Sequence, residues 1–190
     1  VWHTMVLPVG GSHVTNDIAL GLHLPITQAE EVKKLYGNAV ESEVEESDMF
    51  SVRTFGSERP VQVSRKELSV IIEARITEVF DLLLQEIKRS GYDGLLPAGM
   101  VLTGGTSQLP GIKPIAQQVT GLPIRIAKPE NLNGLVDQLN NPAFSTSVGL
   151  LKWAIKMGEP IELPKTPRNK PKWLEKLIEF GKKMLPSDVE

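Results

Sequence analysis

The chain has 190 residues, of which 41% are hydrophobic and 23% are charged, and its formal net charge at pH 7 is −2. This composition is ordinary for a soluble globular protein with a substantial core. The lack of a basic excess argues against nucleic acid as the main partner, because phosphate binding requires clustered Lys and Arg. The absence of cysteine excludes disulfides, thiolate metal sites and thiol chemistry.

The start of the chain has the composition of a strand followed by a glycine turn. Residues 1–9 are rich in β-branched and apolar side chains, and Gly10 and Gly11 follow them. A helix over residues 12–22 is predicted next. Because the first residue is valine and already belongs to a predicted element, the chain is expected to be a fragment that begins inside a fold. No apolar run reaches the roughly 18 residues that a membrane-spanning helix needs.

Two capping boxes predict where the next helices begin. The box at Thr27 opens a helix over residues 27–36, and the box at Ser64 opens the longest helix, over residues 64–90. An antiparallel hairpin is predicted between them, within residues 49–63.

The long predicted helix carries an apolar stripe and, beside it, a mixed flank. The flank lies at about 100° from the stripe on a helical wheel and contains Ile71, Arg75, Glu78 and Leu82. Half-exposed apolar side chains beside charges suit a protein-binding surface, but an Arg75–Glu78 salt bridge on a solvated face explains the same pattern. The stripe, which is expected to be core, consists of Leu68, Ile72, Ile76, Val79, Leu83 and Ile87.

A second glycine-rich turn follows a short apolar run that is predicted to be a buried strand. Gly104 and Gly105 allow backbone N–H groups to face a ligand, and Thr106 and Ser107 come directly after them. Such a turn can bind phosphate, ribose or a base edge, or it can be plain turn chemistry. The elements predicted to complete the α/β alternation are a helix over 111–120, a strand over 123–127 and a helix over about 144–157.

The C-terminal segment differs in character from the rest of the chain. Residues 158–171 contain four prolines and are predicted to form an extended linker. Residues 172–185 are predicted to form an amphipathic helix, which can lie in a membrane interface or pack back on the domain. Its apolar arc consists of Trp173, Leu174, Leu177, Ile178, Phe180, Met184 and Leu185.

The motifs of most enzyme active sites are missing from the sequence. The three histidines are scattered, so no zinc site is expected. Neither a Gly-x-Ser-x-Gly elbow nor a P-loop occurs. Nucleotide binding by backbone turns remains, with Glu30 and Lys33 on one helix face as candidate contacts to ribose and base.

Three stretches of the sequence carry a resemblance to a known family. They are residues 6–22 (VLPVGGSHVTNDIALGL), the helix segment with Ala29, Glu30, Lys33, Tyr36 and Gly37, and residues 101–111 (VLTGGTSQLPG). In this order they resemble FtsA, a family of bacterial cell-division proteins that are actin-like ATPases. The resemblance covers nearly the whole chain, and the first stretch is specific to FtsA among actins, sugar kinases and heat-shock chaperones.

The resemblance implies an α/β fold, the second half of an actin-like (ribonuclease H-like) ATPase. Residues 1–27 and 94–157 would form part of the larger subdomain, IIA, and residues 28–93 the smaller inserted α/β subdomain, IIB. The phosphate-binding turns of the family's first half, and its Asp-x-Gly-Gly-Gly-Thr turn, do not occur in this sequence. The fragment alone is therefore expected to have no ATPase activity, and no catalytic residue is predicted in it.

The resemblance also implies ATP and Mg²⁺ as cofactors, with most of their ligands in the half that this sequence does not include. The implied nucleotide-binding residues are Gly104, Gly105, Thr106 and Ser107 in the adenosine turn, Glu30 and Lys33 on the helix that faces the base and ribose, and Gly10 and Gly11 below the nucleotide.

The family's role implies a peripheral protein on the cytoplasmic face of the cell membrane at the division site. The implied partners are the C-terminal tail of the tubulin homologue FtsZ, other copies of the protein in a filament, anionic lipid and other division proteins. The flank with Arg75 and Glu78 is predicted to bind the FtsZ tail, and the helix over residues 172–185 to bind the membrane.

Two other members of the superfamily are alternatives. A phosphotransferase of the sugar-kinase branch has no need of a basic, tryptophan-bearing amphipathic terminus behind a proline-rich linker. A chaperone ATPase needs a substrate-binding domain, and only 33 residues follow Met157. The C-terminal segment therefore favours an adaptor that is attached to the membrane.

Overall fold

The computed structural model describes residues 1–56, 59–132 and 139–158. Residues 1–151 form one compact unit and residues 152–190 a second, of which the end of a helix is described. The predicted amphipathic helix and all of the predicted linker except Gly158 lie outside the described residues. The elements are α1 (Gly11–Gly21), α2 (Ile26–Tyr36), β1 (Met49–Val52), β2 (Val61–Ser64), α3 (Arg65–Arg89), β3 (Met100–Leu102), α4 (Ile112–Thr120), β4 (Ile124–Ile126) and α5 (Ser145–Met157), with 3₁₀ turns at Glu41–Glu43, Gly105–Gln108 and Pro142–Phe144.

Helix α3 begins where its capping signal predicts. The side chain of Ser64 accepts a hydrogen bond from the backbone N–H of Lys66 at 3.2 Å, which satisfies one of the unpaired groups at the helix start. Neither glycine nor proline interrupts the 25 residues that follow. The helix packs against both α1 and α4, and so it forms the centre of the described core.

The buried stripe of α3 differs from the prediction in its second half. Leu68, Ile72 and Ile76 are each at most 2% exposed, as predicted. The next buried apolar side chain is Phe80, which continues the line in steps of four and covers more apolar area than valine does. Leu83 is partly buried and packs against the core, whereas the prediction of a core position was wrong for Val79 and Ile87, which are only partly buried.

Residues 1–9 do not form the predicted strand. Val1, Trp2 and Val6 are at least 80% exposed, and no described strand pairs with this segment. A strand requires a neighbour, because its backbone groups otherwise stay bound to water. The first strand–turn–helix pattern therefore consists of the turn and helix α1 alone.

The described strands form two separate two-stranded sheets. β1 and β2 are antiparallel, as predicted, and pair Phe50 with Val63. β3 and β4 are parallel, because α4 crosses over between them. The prediction that β3 is fully buried was wrong, since Val101 is 53% exposed. Side chains alternate along a strand, so Met100 and Leu102 pack on the core while Val101 points away from it.

Helix α2 begins one residue before the predicted capping box. Pro25 occupies the cap position, and no side chain caps the helix, so the box at Thr27 was wrong. Glu30, its predicted acidic member, instead bonds to Thr15 of α1 and to Lys33. The helix ends at Tyr36 as predicted. The carboxylate of Glu30 is thus directed toward α1 and into the site described next.

Candidate functional site

A cleft of about 730 Å³ lies where α1, α2 and the turn after β3 meet. Five of the eight residues that the sequence predicts for a nucleotide line this cleft: Gly11, Glu30, Lys33, Gly105 and Thr106. The structure therefore brings together three stretches that are far apart along the chain. The other lining residues are Ser12, Val14, Lys34, Gln108, Leu109, Pro110 and Ala143.

The two glycine turns lie close together at Gly11 and Thr106. A Cβ atom built on Gly11 would overlap Thr106 Oγ1 and lie 3.8 Å from Lys33 Nζ. A side chain at position 11 would have to displace the Thr106 hydroxyl, so glycine lets α1 and the second turn lie close together at this end of the cleft. Gly10 does not line the cleft; its backbone is extended, with φ −177°, and a Cβ there would meet nothing within 4 Å.

Two of the predicted residues, Gly104 and Ser107, do not line the cleft but stabilise the second turn. Gly104 has φ +95°, a conformation that favours glycine, and its N–H donates to the carbonyl of Pro142 at 3.0 Å. Ser107 is 4% exposed and donates to the carbonyl of Gly104 at 2.7 Å. This arrangement leaves Gly105 and Thr106 as the part of the turn that faces the cleft.

A polar network joins α1 to α2 at the wall of the cleft. Lys33 Nζ donates to the carbonyl of Gly11 at 3.0 Å, to Thr15 Oγ1 at 2.7 Å and to Glu30 Oε2 at 2.5 Å. Thr15 Oγ1 lies 2.5 Å from Glu30 Oε2, and Lys34 Nζ lies 3.1 Å from Glu30 Oε1. The side chain of Lys33 is 13% exposed and that of Glu30 is 36% exposed, so the carboxylate is the more accessible of the two.

The network keeps Glu30 ionised. Burial alone would raise the pKa of Glu30, but hydrogen bonds from Lys33, Thr15 and Lys34, together with the charge of Lys33, lower it from 4.5 to about 2. An ionised carboxylate only accepts hydrogen bonds, and an acidic residue of this kind binds the ribose hydroxyl in many dinucleotide sites. Glu30 as acceptor therefore fits a hydroxyl group of a ribose, while the three donors of Lys33 are already used within the network.

The lining and supporting residues that were not predicted from the sequence include Lys34, Thr15 and Ala143. Lys34 follows Glu30 by four residues, a helical spacing that pairs opposite charges and could have been used. Thr15 gains its role only when α1 packs against α2. Ala143 lies near the second turn, 3.9 Å from a Cβ built on Gly105, and no local pattern connects these two positions.

On the α3 face that is predicted to bind a partner, Arg75 already has partners within the chain. Its guanidinium bonds to Asp17 of α1 through Nε and, at 3.0 Å, through Nη2, and it reaches Glu78 at 2.5 Å through Nη1. The hydrogen bond to Asp17 raises the pKa of Arg75. Ile71 and Leu82 are partly buried, and Glu78 remains 54% exposed. The alternative of an Arg75–Glu78 salt bridge is therefore present, and the binding role of this face stays a prediction.

The described residues show neither a metal-ligand cluster nor a membrane-spanning helix. In residues 1–56, 59–132 and 139–158, no three His, Asp or Glu side chains lie together where they could hold a metal ion. Within the same ranges, no helix combines the length and apolarity needed to cross a bilayer. The predicted membrane-binding side chains, from Trp173 to Leu185, fall outside these ranges.

Comparison with protein families gives a match over most of the chain. Residues 1–149 match the family model described as cell division protein FtsA. Curated proteins of that description are 40% identical over 154 residues in Pseudomonas aeruginosa, 40% over 156 residues in Neisseria meningitidis serogroup B and 35% over 153 residues in Bacillus subtilis. These alignments cover 81%, 82% and 80% of this chain, but only 37%, 38% and 33% of the relatives. These relatives are described as cell-division proteins and not as sugar kinases.

Solved structures of actin-like MreB proteins are similar in fold. MreB5 of Spiroplasma citri bound to ADP matches with a TM-score of 0.56 at 20% identity, covering 81% of this chain and 48% of that one. The same protein bound to AMPPNP matches with a TM-score of 0.54, covering 80% and 47%. The likeness confirms the predicted fold class: the chain has the α/β fold of part of an actin-like domain.

Proposed function

Because the chain belongs to the FtsA family of cell-division proteins, we propose that it supplies the adenosine side of an ATP site in an adaptor that attaches FtsZ filaments to the membrane. The observation that carries the proposal is the cleft in which the turn at Gly11, the helix face with Glu30 and Lys33, and the turn at Gly105 meet. The similar MreB5 structures contain ADP and AMPPNP, which supports a nucleotide site in a protein of this fold.

Each part of the cleft has a proposed role toward the nucleoside. Glu30 accepts a hydrogen bond from a ribose hydroxyl, and Lys33, whose three donors are used within the network, holds the carboxylate in place. The turn at Gly105 and Thr106 lies against the base, since glycine lets a flat ligand approach the backbone closely. The phosphates and most ligands of Mg²⁺ are assigned, as the family resemblance implies, to the half of the protein that this sequence does not include, and no catalytic step is assigned to the cleft itself.

The adaptor role requires two further surfaces. The FtsZ tail is proposed to bind the α3 face that contains Ile71, Arg75, Glu78 and Leu82. The amphipathic helix over residues 172–185 is proposed to lie on anionic lipid at the cytoplasmic face of the membrane, at the division site. Other copies of the protein and other division proteins are the remaining proposed partners.

Titration of the 190-residue chain with adenosine, AMP and ATP tests the nucleoside site. The readout is the set of backbone amide shifts in an NMR spectrum. We expect shifts at the cleft and weak binding, with dissociation constants on the order of 1 mM, that are similar for the three ligands. The affinities should be similar because the phosphate-binding turns of the family do not occur in this sequence.

Two variants of one position provide the control. Gly105→Asp should abolish the shifts, because it places a solvated carboxylate in the turn. Gly105→Ala should only weaken them, since its small, uncharged Cβ takes some of the room of the base but would lie at an ordinary 3.9 Å from Ala143. Micromolar binding of ATP by this chain, or shifts that lie outside the cleft, would contradict the proposal.

A further inference from the structure

Thr15 is the buried centre of the polar network, and it lies behind the cleft rather than in its lining. The residue is only 4% exposed. Its hydroxyl has one proton to donate and two lone pairs with which to accept. Lys33 Nζ donates to it at 2.7 Å, while two acceptors compete for its single proton: Glu30 Oε2 at 2.5 Å and the carbonyl of Gly11 at 3.0 Å.

Because of this competition, the Thr15 hydroxyl proton can be donated in two ways, and in both of them every buried donor has an acceptor. When Thr15 donates to Glu30, the carbonyl of Gly11 still accepts a hydrogen bond from Lys33 at 3.0 Å. When Glu30 accepts from a ligand instead, the Thr15 proton can rotate to the carbonyl of Gly11. Neither arrangement leaves a buried donor without an acceptor, which is the costly situation in a protein interior.

We propose that Thr15 is a positioning residue that makes the cleft select a ribonucleoside over a 2′-deoxynucleoside. Its hydroxyl holds Lys33 and Glu30 in place and lets the carboxylate exchange a protein donor for a ribose hydroxyl. The inference rests on the proposed nucleoside site and deepens it, because it assigns the ribose selectivity to a residue that does not touch the ligand. Valine at position 15 has nearly the same shape as threonine, so it would keep the packing but could neither donate to Glu30 or Gly11 nor accept from Lys33.

The test compares Thr15→Val with Thr15→Ser in the 190-residue chain, using AMP and 2′-deoxy-AMP as probes in the NMR titration. Serine keeps the hydroxyl and valine removes it. The wild type and Thr15→Ser should bind AMP roughly tenfold more tightly than 2′-deoxy-AMP, the factor that one hydrogen bond to a charged group provides. Thr15→Val should bind the two probes with nearly equal affinity. Thr15→Ala repeats the comparison if the valine variant does not fold.

A second readout needs no ligand. The pKa of Glu30, followed by its ¹³C carboxyl signal, should rise in Thr15→Val and stay at the wild-type value in Thr15→Ser. If AMP does not bind the wild type but this pattern is found, the nucleoside site is wrong while the positioning of Glu30 by Thr15 stands. If Thr15→Val keeps both the wild-type pKa and the wild-type preference for AMP, the inference is overturned.

Discussion

The charge of Glu30 should stabilise the folded chain, and this contribution should disappear in acid. The pKa of Glu30 is about 2 in the folded chain, against 4.5 for the free side chain. Each unit of difference corresponds to about 1.4 kcal/mol, so the interval from 4.5 to 2 sets an upper bound of about 3 kcal/mol. Because the side chain is 36% exposed and water screens its partners, we expect a contribution of about 1 kcal/mol.

The sign of the pH dependence follows from the direction of the shift. The pKa is lower in the folded state, so the contribution is fully present above about pH 4.5 and is lost as the pH falls toward 2. Glu30→Gln should therefore be about 1 kcal/mol less stable than the wild type in urea unfolding at pH 7. The gap between the two proteins should shrink between pH 5 and pH 3.

Glu31→Gln is the matched control, because Glu31 is the neighbouring residue on α2, is exposed and lies outside the network. Its stability difference from the wild type should not follow the same pH course. The reasoning is refuted if Glu30→Gln is as stable as the wild type at pH 7. A gap of the same size at pH 7 and at pH 3 would refute it as well.

Three further predictions concern the cleft, the partner face and the C-terminal helix. Gly11→Ala should lower the free energy of unfolding by about 1–3 kcal/mol in urea titrations, because its Cβ would overlap the opposite turn, whereas Gly10→Ala should be nearly neutral. Reversing both charges of Arg75 and Glu78 should weaken the binding of an FtsZ tail peptide, measured by fluorescence anisotropy. A peptide of residues 170–190 should become helical on anionic vesicles with a blue-shifted tryptophan emission, and Leu177→Glu should end this by placing a carboxylate in the apolar arc.

Each of these predictions has an outcome that would contradict it. Equal unfolding free energies for the two glycine variants would mean that the turns do not meet at Gly11. For the partner face, the control is Asp17→Asn, which weakens the ion pair between Asp17 of α1 and Arg75 without changing the α3 face itself. An equal loss of peptide binding in this control would point to a structural effect. An unchanged dissociation constant after the charge reversal would leave Arg75 and Glu78 as an ordinary salt bridge. If the peptide of residues 170–190 does not bind the vesicles, the alternative is favoured in which the helix over residues 172–185 packs on the domain.

Local signals predicted the fold accurately where the structure depends on neighbouring residues. Ser64 caps α3, α2 ends before Gly37, and the hairpin predicted within residues 49–63 forms over residues 49–64. Caps and tight turns are decided within a few residues, so their patterns are visible in the sequence. The strand expected over residues 1–9 failed because a strand also requires a partner, which composition does not reveal.

In the candidate site, too, features with a local sequence pattern could be predicted, and contacts that depend on tertiary packing could not. The two glycine turns and the helix face with Glu30 and Lys33 have local patterns, and the family resemblance connects them with a nucleotide. The role of Thr15 depends on the packing of α1 against α2, and the bond between Asp17 and Arg75 joins residues 58 positions apart. No helical or strand spacing predicts such contacts, so only the structure could reveal them.

A crystal structure of the 190-residue chain grown with AMP tests the central claim, that this cleft binds the nucleoside, most directly. The account predicts ribose hydroxyls within hydrogen-bond distance of Glu30, the base against the turn at Gly105, and the hydroxyl of Thr15 donating to the carbonyl of Gly11. AMP bound outside the cleft, or oriented with its phosphate at Glu30, would contradict the account.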